Sequence, residues 1–508
     1  MSNYREIREK YQKNQIYKKS FLLAGFFTFI LLSYKFIIIN NTLLYQSIYK
    51  KFIDDNFFSK ENLKCDNLDP IYIMAQRLKK PSINICKTKE SEYVCFQDSK
   101  YDYYNKLYRF QNGVICLMKN FTLDPHKSYQ TNLLYKGPVD KINRGSAIVS
   151  KGFLNMKCNS KYNYKKFSKL YRDFFRSWDF DKMETRENLE ELAPGKTVFF
   201  INRNQDSPNL FHGLSEIMNT LSIMYLFDLK PENIQIIFLE SMKFETEPVF
   251  DIYLNIIMNG TKPLYLRDLT KKYRISSAVN IPVGGDSPLF LLIDSPDCKY
   301  STKTYKIFNY LINKYMNIPK FKDSFKSDKE TFYYPNLTIN ICFYSYDIKN
   351  HKLHKNFSKI ITVQWRKVWP KGRIEQKRIL GNGPELADKL EQIIPRNFLI
   401  RLVDTASLSI TQQISLMKNT DYFIGIHGAG LALSIFMPNS SILHEILPYK
   451  KNKLLSLMSK LSGHKTYSDI INNRIKIIDK NEYIFFNEND FANCVLKRLK
   501  ENYNLNIN

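Results

Sequence analysis

The carboxyl-terminal two thirds of the chain alternate short apolar runs with stretches of helical spacing. "TVFFIN" at 197–202 is a continuous apolar run of strand length. A helical pattern from about His212 then runs through "LSEIMNTLSIMYLF". "IQIIFL" reads as the next strand, and further segments continue to about 315. The stretch at 319–335, "PKFKDSFKSDKETFYYP", is polar, lysine-rich and bounded by prolines, the texture of a linker. Alternation then resumes. Strands are expected at "LTINICFYS", "IITVQW", "FLIRLVD", "YFIGI" and "SILHEIL". Helices are expected over "PELADKLEQII", "SITQQISLMKNT" and from Gly430. Strands that alternate with helices predict a parallel sheet covered on both faces. Two such halves joined by a linker predict a two-domain α/β protein with a cleft between the halves. Between about 65 and 190 the chain is rich in Cys and Tyr and shows no clear alternation.

One run departs from this texture. "FLLAGFFTFILLSYKFIII" at 21–39 is apolar apart from Lys35 and a few small polar groups. At 1.5 Å per residue it roughly spans a ~30 Å hydrocarbon core. Arg5, Arg8, Lys10, Lys13, Lys18 and Lys19 precede it, an excess that holds the amino terminus in the cytosol. No small-residue cleavage site follows Ile39, so the run reads as an uncleaved signal anchor. The remaining chain then faces the lumen of the secretory pathway. All eight cysteines (65, 86, 95, 116, 158, 298, 342, 494) lie after the span, where disulfides form. Five fall between Cys65 and Cys158, an odd number, so at least one pairs beyond that stretch or stays free. No CxxC spacing points to zinc. Glycosylation sequons stand at Asn40, Asn120, Asn259, Asn336, Asn356 and Asn439.

The chain has 508 residues, 44% of them hydrophobic and 14% aromatic, which describes packed domains. The net charge of +27 is spread over scattered lysines in a chain rich in Lys, Asn, Ile and Tyr. That is a composition bias. No zinc-finger spacing and no basic arm with interleaved aromatics accompanies it, so nucleic acid is not the expected partner.

Candidate chemistry gathers at three places. In "YFIGIHGAGLALSIFMPNSSILHEILP" at 422–448, "YFIGI" is a strand, and His427, Gly428, Ala429 and Gly430 form the turn at its carboxyl end. Open α/β sheets bind ligands at that edge. Glycines let backbone amides approach a phosphate, and a helix amino terminus favours negative charge. His427 is placed to donate to a diphosphate oxygen. Glu445, near the end of the next strand, is placed to accept both hydroxyls of a ribose. The set fits a nucleoside diphosphate; the plainer reading is a tight turn with a capping histidine. In "NLFHGLSEIMNTL", His212 and Glu216 are four apart on one helix face, after a polar loop that contains Asp206. A carboxylate there suits a general base; the plainer reading is a solvated glutamate on an amphipathic helix. In "VQWRKVWPKGRIEQKRILGNGPEL", Arg366 follows a strand, and Arg373 and Arg378 precede a turn and a helix. Guanidinium groups at a strand edge suit phosphate. Asp179-Phe180-Asp181 has the Asp-x-Asp form of metal-dependent transferases, but it follows "FFRSW" and no clear strand.

Together the three clusters resemble the glycosyltransferase family 61 domain over roughly 195–470. Asn209, His212 and Glu216 match its "N-x-x-H-x-x-x-[DE]" stretch. Arg378, Leu380 and Asn382 match an "R-x-[IL]-x-N" stretch loosely, with Gly381 inside it. Gly425, His427 to Ala429, Leu431, Phe436, Pro438, Glu445 and Pro448 match "hGxHGAxLxxxxFxPxxxxxxEhxP", the most specific of the three. Glu216 stands where several members have Asp.

The resemblance implies a GT-B-like fold, two Rossmann-type domains facing a cleft after a single transmembrane helix. It implies an inverting transferase, pentosyl or N-acetylglucosaminyl, with a nucleotide-sugar donor and a glycan or glycoprotein acceptor. Expected segments are a cytosolic tail 1–20, an anchor 21–39, a stem 40–65, an acceptor-side domain 66–325 and a nucleotide-sugar domain 326–508. Glu216 and His212 are the expected catalytic residues. Arg366, Arg373, Arg378, His427, Gly428, Ala429, Gly430 and Glu445 are the expected donor contacts. No obligate cofactor or metal is implied beyond the nucleotide sugar as co-substrate. The expected location is the Golgi or endoplasmic reticulum membrane, single-pass type II. A hydrolase is set aside because the chain has no GxSxG nucleophile elbow. The alternative is an inactive relative that binds glycan or acts as a lumenal scaffold.

Overall fold

The computed structural model describes residues 65, 68–78, 83–89, 91–97, 114–128, 151–158, 178–179, 189–201, 210–239, 258, 261–281, 298–315, 341–343, 346–347, 352–353, 359–365, 379–395, 397–405, 408–447, 454–470, 474–478 and 481–503. The tail, anchor and stem expected over 1–20, 21–39 and 40–65 lie outside them, residue 65 excepted. So do the linker at 319–335 and Asp206. No helix among the described residues is long and apolar enough to cross a membrane.

The order of elements begins with helix α1 (Pro70–Leu78), then strands β1 (Ile83–Lys87), β2 (Glu92–Gln97), β3 (Val114–Leu123), β4 (Leu154–Asn155), β5 (Trp178–Asp179) and β6 (Thr197–Ile201). Helix α2 (Leu210–Leu226), strands β7 (Ile234–Phe238), β8 (Leu264–Tyr265) and β9 (Tyr273–Ile281), and helix α3 (Lys303–Tyr315) follow. The second half carries β10 (Ile341–Phe343), the short hairpin β11 (Tyr346–Asp347) and β12 (Lys352–Leu353), β13 (Lys359–Gln364), β14 (Ile379–Leu380), α4 (Gly383–Ile393), β15 (Phe398–Val403) and α5 (Ile410–Lys418). It ends with β16 (Tyr422–Ile426), a 3-10 segment (Ala429–Phe436), β17 (Ile442–Leu447), α6 (Leu454–Leu461), β18 (Lys465–Ile470), β19 (Arg474–Ile478), β20 (Asn481–Phe485) and α7 (Glu488–Tyr503).

The first sheet runs β1-β2-β3-β9-β6-β7-β8, with β4 and β5 beyond β3. It differs from the parallel sheet expected for that half. Successive neighbours among β1, β2, β3 and β9 are antiparallel, while β9, β6, β7 and β8 run parallel, as does the short pair β4 and β5. The reason is connection length. Only Thr88–Ser91 separate β1 from β2, too few for the crossover a parallel pair needs. Cys95 and Cys116 face each other across β2 and β3 and are bonded. The second sheet runs β10-β15-β13-β16-β17-β18, all parallel except the edge strand β10. Its central strands are the continuous apolar runs, because both faces are covered. A second core of Ile361, Val363, Ile400, Ile424, Ile442, Val495 and their neighbours packs helices α4 and α7 against it.

Local chemistry sets the helix ends. Ser409 and Gln412 form a reciprocal capping box at the start of α5. Its carboxyl end is closed by Arg401 from the middle of β15. That guanidinium is fully buried and donates to the carbonyls of Leu416 (3.0 Å) and Asn419 (2.9 Å) and to the hydroxyls of Thr362 and Thr420 (both 2.8 Å). Burial lowers its pKa to about 9. The expected helix from Gly430 is instead the 3-10 segment. "AGLALSIF" offers no polar face, and residues 431–436 are all buried.

Three disulfides join Cys65–Cys298, Cys86–Cys158 and Cys95–Cys116. Cys65 therefore reaches outside the cysteine-rich stretch, as the odd count allowed. The same junction holds Asp69, which accepts from Ile71 N (2.8 Å), Thr304 N (2.9 Å) and Thr304 Oγ1 (2.6 Å), tying α1 to α3. Burial raises the pKa of its carboxyl. Helix α3 lies before the expected 325/326 boundary yet packs on the second half: Asn309 donates to Ile435 O at 3.1 Å, and Phe308 meets Phe436 with ring centroids 5.6 Å apart. Residues 60–225 and 229–508 form one compact unit. The Cys65–Cys298 bond closes 233 residues, so its loss frees much of the denatured chain. Replacing both cysteines by serine is expected to cost about 2–5 kcal/mol in a denaturant titration, read as a lower midpoint.

Candidate active site

Among the parallel strands of the second sheet, β13 comes first in the chain. Its neighbours are β15 on one side and β16 on the other. The winding reverses between β13 and β16, and a crevice opens outside the carboxyl ends of strands at such a switch point. Gln364 ends β13 and His427 follows β16 there.

The register places Gly425 beside Glu445 on the adjoining strands. The backbone N–H of His427 extends the ladder by donating to Ile446 O at 2.9 Å. Its ring then turns back, so that Nδ1 bonds Glu445 Oε1. The carboxylate is fully buried, whereas the imidazole keeps 18% of its surface exposed. Ser456 on α6 donates to Glu445 Oε2 at 2.9 Å, and Ser468 on β18 lies 3.4 Å from the same oxygen. A buried carboxylate demands such partners. This is a different environment from the ribose-facing position expected for Glu445. The carboxylate here fixes the tautomer and direction of the His427 ring, leaving Nε2 as the nitrogen for a ligand.

The glycines have a packing cause. Gln364 is 3% exposed and lies between the strand ends and the turn. A Cβ on Gly425 would meet Leu431 Cδ2 at 2.6 Å and Gln364 Oε1 at 3.0 Å, and one on Gly430 would collide with the Gln364 amide nitrogen. That nitrogen donates to Thr405 Oγ1 at 2.7 Å. Gly428 is buried, while Ala429 and Gly430 are partly exposed at the start of the 3-10 segment. Gln364, Thr405, Ser456 and Ser468 were missed in the sequence. Gln364 did carry a signal, as the one polar residue closing the apolar run "IITVQ".

His212 and Glu216 fall in the first two turns of α2, which follows the carboxyl end of β6 in the first sheet. Glu216 is 1% exposed, so it is not a solvated surface glutamate. The three arginines expected at the donor phosphates, Arg366, Arg373 and Arg378, lie outside the described residues. Asn382 from the same stretch has structural contacts: its amide donates to Phe486 O at 2.9 Å and accepts from Phe486 N at 3.2 Å, joining α4 to the segment before α7. Asp179 sits in the short strand β5, 3.7 Å from Lys151 Nζ.

Comparison with known proteins finds a similarity over this edge. The sequence model described as Glycosyltransferase 61 matches residues 291–443, which run from ahead of α3 to the start of β17. Across that segment the chain is similar to the glycosyltransferase 61 family. The match includes His427 to Gly430 and stops short of Glu445 and of α2. The mouse EGF domain-specific O-linked N-acetylglucosamine transferase is 32% identical over 91 residues, 18% of this chain. The chain covers 17% of that relative's length.

The packing of Gln364 against the turn is directly testable. Gly430→Ala is expected to destabilise the protein by about 1–3 kcal/mol through overpacking. Adding Gln364→Ala should return part of that loss, because the colliding amide is gone. Thermal unfolding of the single and double variants checks both signs.

Proposed function

We propose that the protein is an inverting glycosyltransferase with a GT-B-like arrangement, and that the carboxyl edge of its second sheet holds the diphosphate of a nucleotide sugar. The observation that carries this reading is His427, oriented by the buried Glu445 on a glycine turn at the switch point, inside the family-matched segment. His427 Nε2, the amides of Gly428, Ala429 and Gly430, and one or more of Arg366, Arg373 and Arg378 stabilise the charge that develops on the departing diphosphate. Glu445 acts on the donor through His427. Nε2 donates only from the doubly protonated ring, whose charge the buried carboxylate offsets.

Glu216 is the general base in this reading, with His212 one turn earlier as its orienting partner or acceptor contact. The acceptor hydroxyl gives its proton to Glu216 as its oxygen bonds the anomeric carbon. The bond to the phosphate oxygen breaks on the opposite face, and the electron pair leaves with the diphosphate. Configuration at the anomeric carbon is thereby inverted. The acceptor is a glycan- or protein-linked hydroxyl, and the transferred sugar is a pentose or N-acetylglucosamine. No obligate cofactor is part of the reading, since cationic side chains and turn amides offset the diphosphate charge.

The reading extends to a type II membrane protein of the Golgi or endoplasmic reticulum, anchored by residues 21–39, with residues 66–325 on the acceptor side and 326–508 on the donor side. The three disulfides support an oxidising compartment. The sequon at Asn439 is exposed in the turn before β17, at the sheet edge opposite His427.

Two measurements test the site. His427→Ala is expected to weaken UDP or GDP binding by about 1–3 kcal/mol in calorimetry while the protein stays folded; unchanged affinity would reduce His427 to a structural cap. Glu216→Gln is expected to lower the transfer rate by ~100- to 10,000-fold with donor affinity intact, read as sugar transfer and as nucleotide binding separately. A rate within a few-fold of wild type would move the base to another carboxylate, with Asp206 next.

A further inference from the structure

His444 and Glu445 are neighbours on β17 and project to opposite faces of the sheet, as successive strand residues must. Glu445 serves the turn. His444 belongs to a separate cluster with Asp469 from β18 and Cys494 from α7, and one ligand atom from each lies within 4.8 Å of the others. His444 Nε2 is 2.8 Å from Asp469 Oδ2, and the Cys494 thiol is 3.1 Å from the same oxygen. On the far side of the ring, His444 Nδ1 lies 2.9 Å from the hydroxyl of Tyr422 on β16.

The details are those of a metal-ligand set. His444 is fully buried, and its Nε2 reaches the Asp469 oxygen at ion-pair distance. An imidazole nitrogen, a carboxylate oxygen and a thiol thus converge within reach of one cation. The Tyr422 hydroxyl holds the other nitrogen, the outer contact by which proteins fix the orientation of a ligating imidazole. Asp469 and Cys494 are only partly buried, so an ion has a way in. Arg498, 3.7 Å from Asp469 Oδ1, occupies the oxygen that faces away from the histidine. Burial and the hydrogen bond to Asp469 push the thiol up to about 11, which removes it as a nucleophile at neutral pH.

We propose that His444 Nε2, Asp469 Oδ2 and Cys494 Sγ form a structural zinc site, with water in the fourth position. Thiolate, imidazole and carboxylate together favour zinc over calcium or magnesium, which prefer oxygen ligands. Bond lengths of about 2.0–2.3 Å place tetrahedral ligand atoms roughly 3.3–3.6 Å apart, so His444 Nε2 and Cys494 Sγ each draw back from Asp469 Oδ2 by about half an ångström on loading. Zinc displaces the thiol proton to solvent and bonds the thiolate. The ion joins β17, the edge strand β18 and helix α7, and so braces the strand that presents Glu445. The inference does not rest on the transferase reading.

The test uses the purified full chain with cobalt(II) and then zinc(II). One equivalent of cobalt is expected to give the near-ultraviolet thiolate-to-cobalt absorption, and zinc to abolish it. Cys494→Ser should lack that absorption and the zinc-dependent rise in Tm, while circular dichroism shows it folded. Tyr422→Phe should keep the site but weaken zinc about 10- to 100-fold in a chelator competition. Should Cys494→Ser not fold, alkylation of Cys494 in the wild-type chain, followed by peptide mass spectrometry, decides the matter: zinc must slow it. No absorption from stoichiometric cobalt in the wild type, absorption that survives Cys494→Ser, or alkylation indifferent to zinc each overturns the proposal.

Discussion

A carboxylate cannot be taken out of water without partners, and Glu445 is fully out of water in the middle of a parallel sheet. Much of the carboxyl edge follows from that one constraint. His427 turns its Nδ1 inward, Ser456 comes from α6, and Ser468 comes from the neighbouring strand. The His427 backbone still follows the ladder beside Ile446, and its ring folds back to the glutamate on the adjoining strand. The imidazole keeps part of its surface exposed there, as do Ala429 and Gly430, while Gly428 is buried.

The glycines are the second consequence. A tight turn over a strand end leaves little room, and Gln364 fills what there is. Its amide lies where side chains at positions 425 and 430 would be, so these two positions lack side chains for reasons of packing. Glycines in a turn at a strand end are usually credited to backbone freedom. Here Gly428 has an extended backbone at φ 166°, which any residue adopts, and the stronger demand is the space taken by Gln364.

Two fully buried polar side chains thus organise the second sheet, one charged on each side of the ledger of helix and turn. Arg401 closes the carboxyl end of α5 from within β15, and Glu445 orients His427 from within β17. Arg401 is the one polar residue of β15, Glu445 stands beside His444 in β17, and both charges are costly to bury. Each is held by groups from several elements, so its loss is felt at a distance from its own strand. The first half is secured differently. Its antiparallel strands are crossed by two disulfides, while a third ties Cys65, beside the Asp69 junction, to Cys298 ahead of α3.

What the sequence determined by itself is local. The apolar runs became β6, β7, β13, β15, β16 and β17 because a strand covered on both faces needs nothing but apolar residues. The spacing of "PELADKLEQII" and "SITQQISLMKNT" marked α4 and α5 for the same kind of reason, since their causes lie within a few turns of chain. The motif around His427 was legible too, as a turn at a strand end. The antiparallel amino-terminal strands were not, because cysteines and short connections blur a two-residue period. Tertiary structure alone decided the partners. Glu445 reads as a ligand-facing carboxylate until β16 and β17 are set in register and His427 folds onto it. Gln364 reads as the end of a strand until Gly425 and Gly430 close over it. His444, Asp469 and Cys494 carry no spacing that announces a site, for they are separated by 25 residues each. Side chains that meet across parallel strands or from a covering helix are brought together by register and packing, and neither is written in the local order of residues.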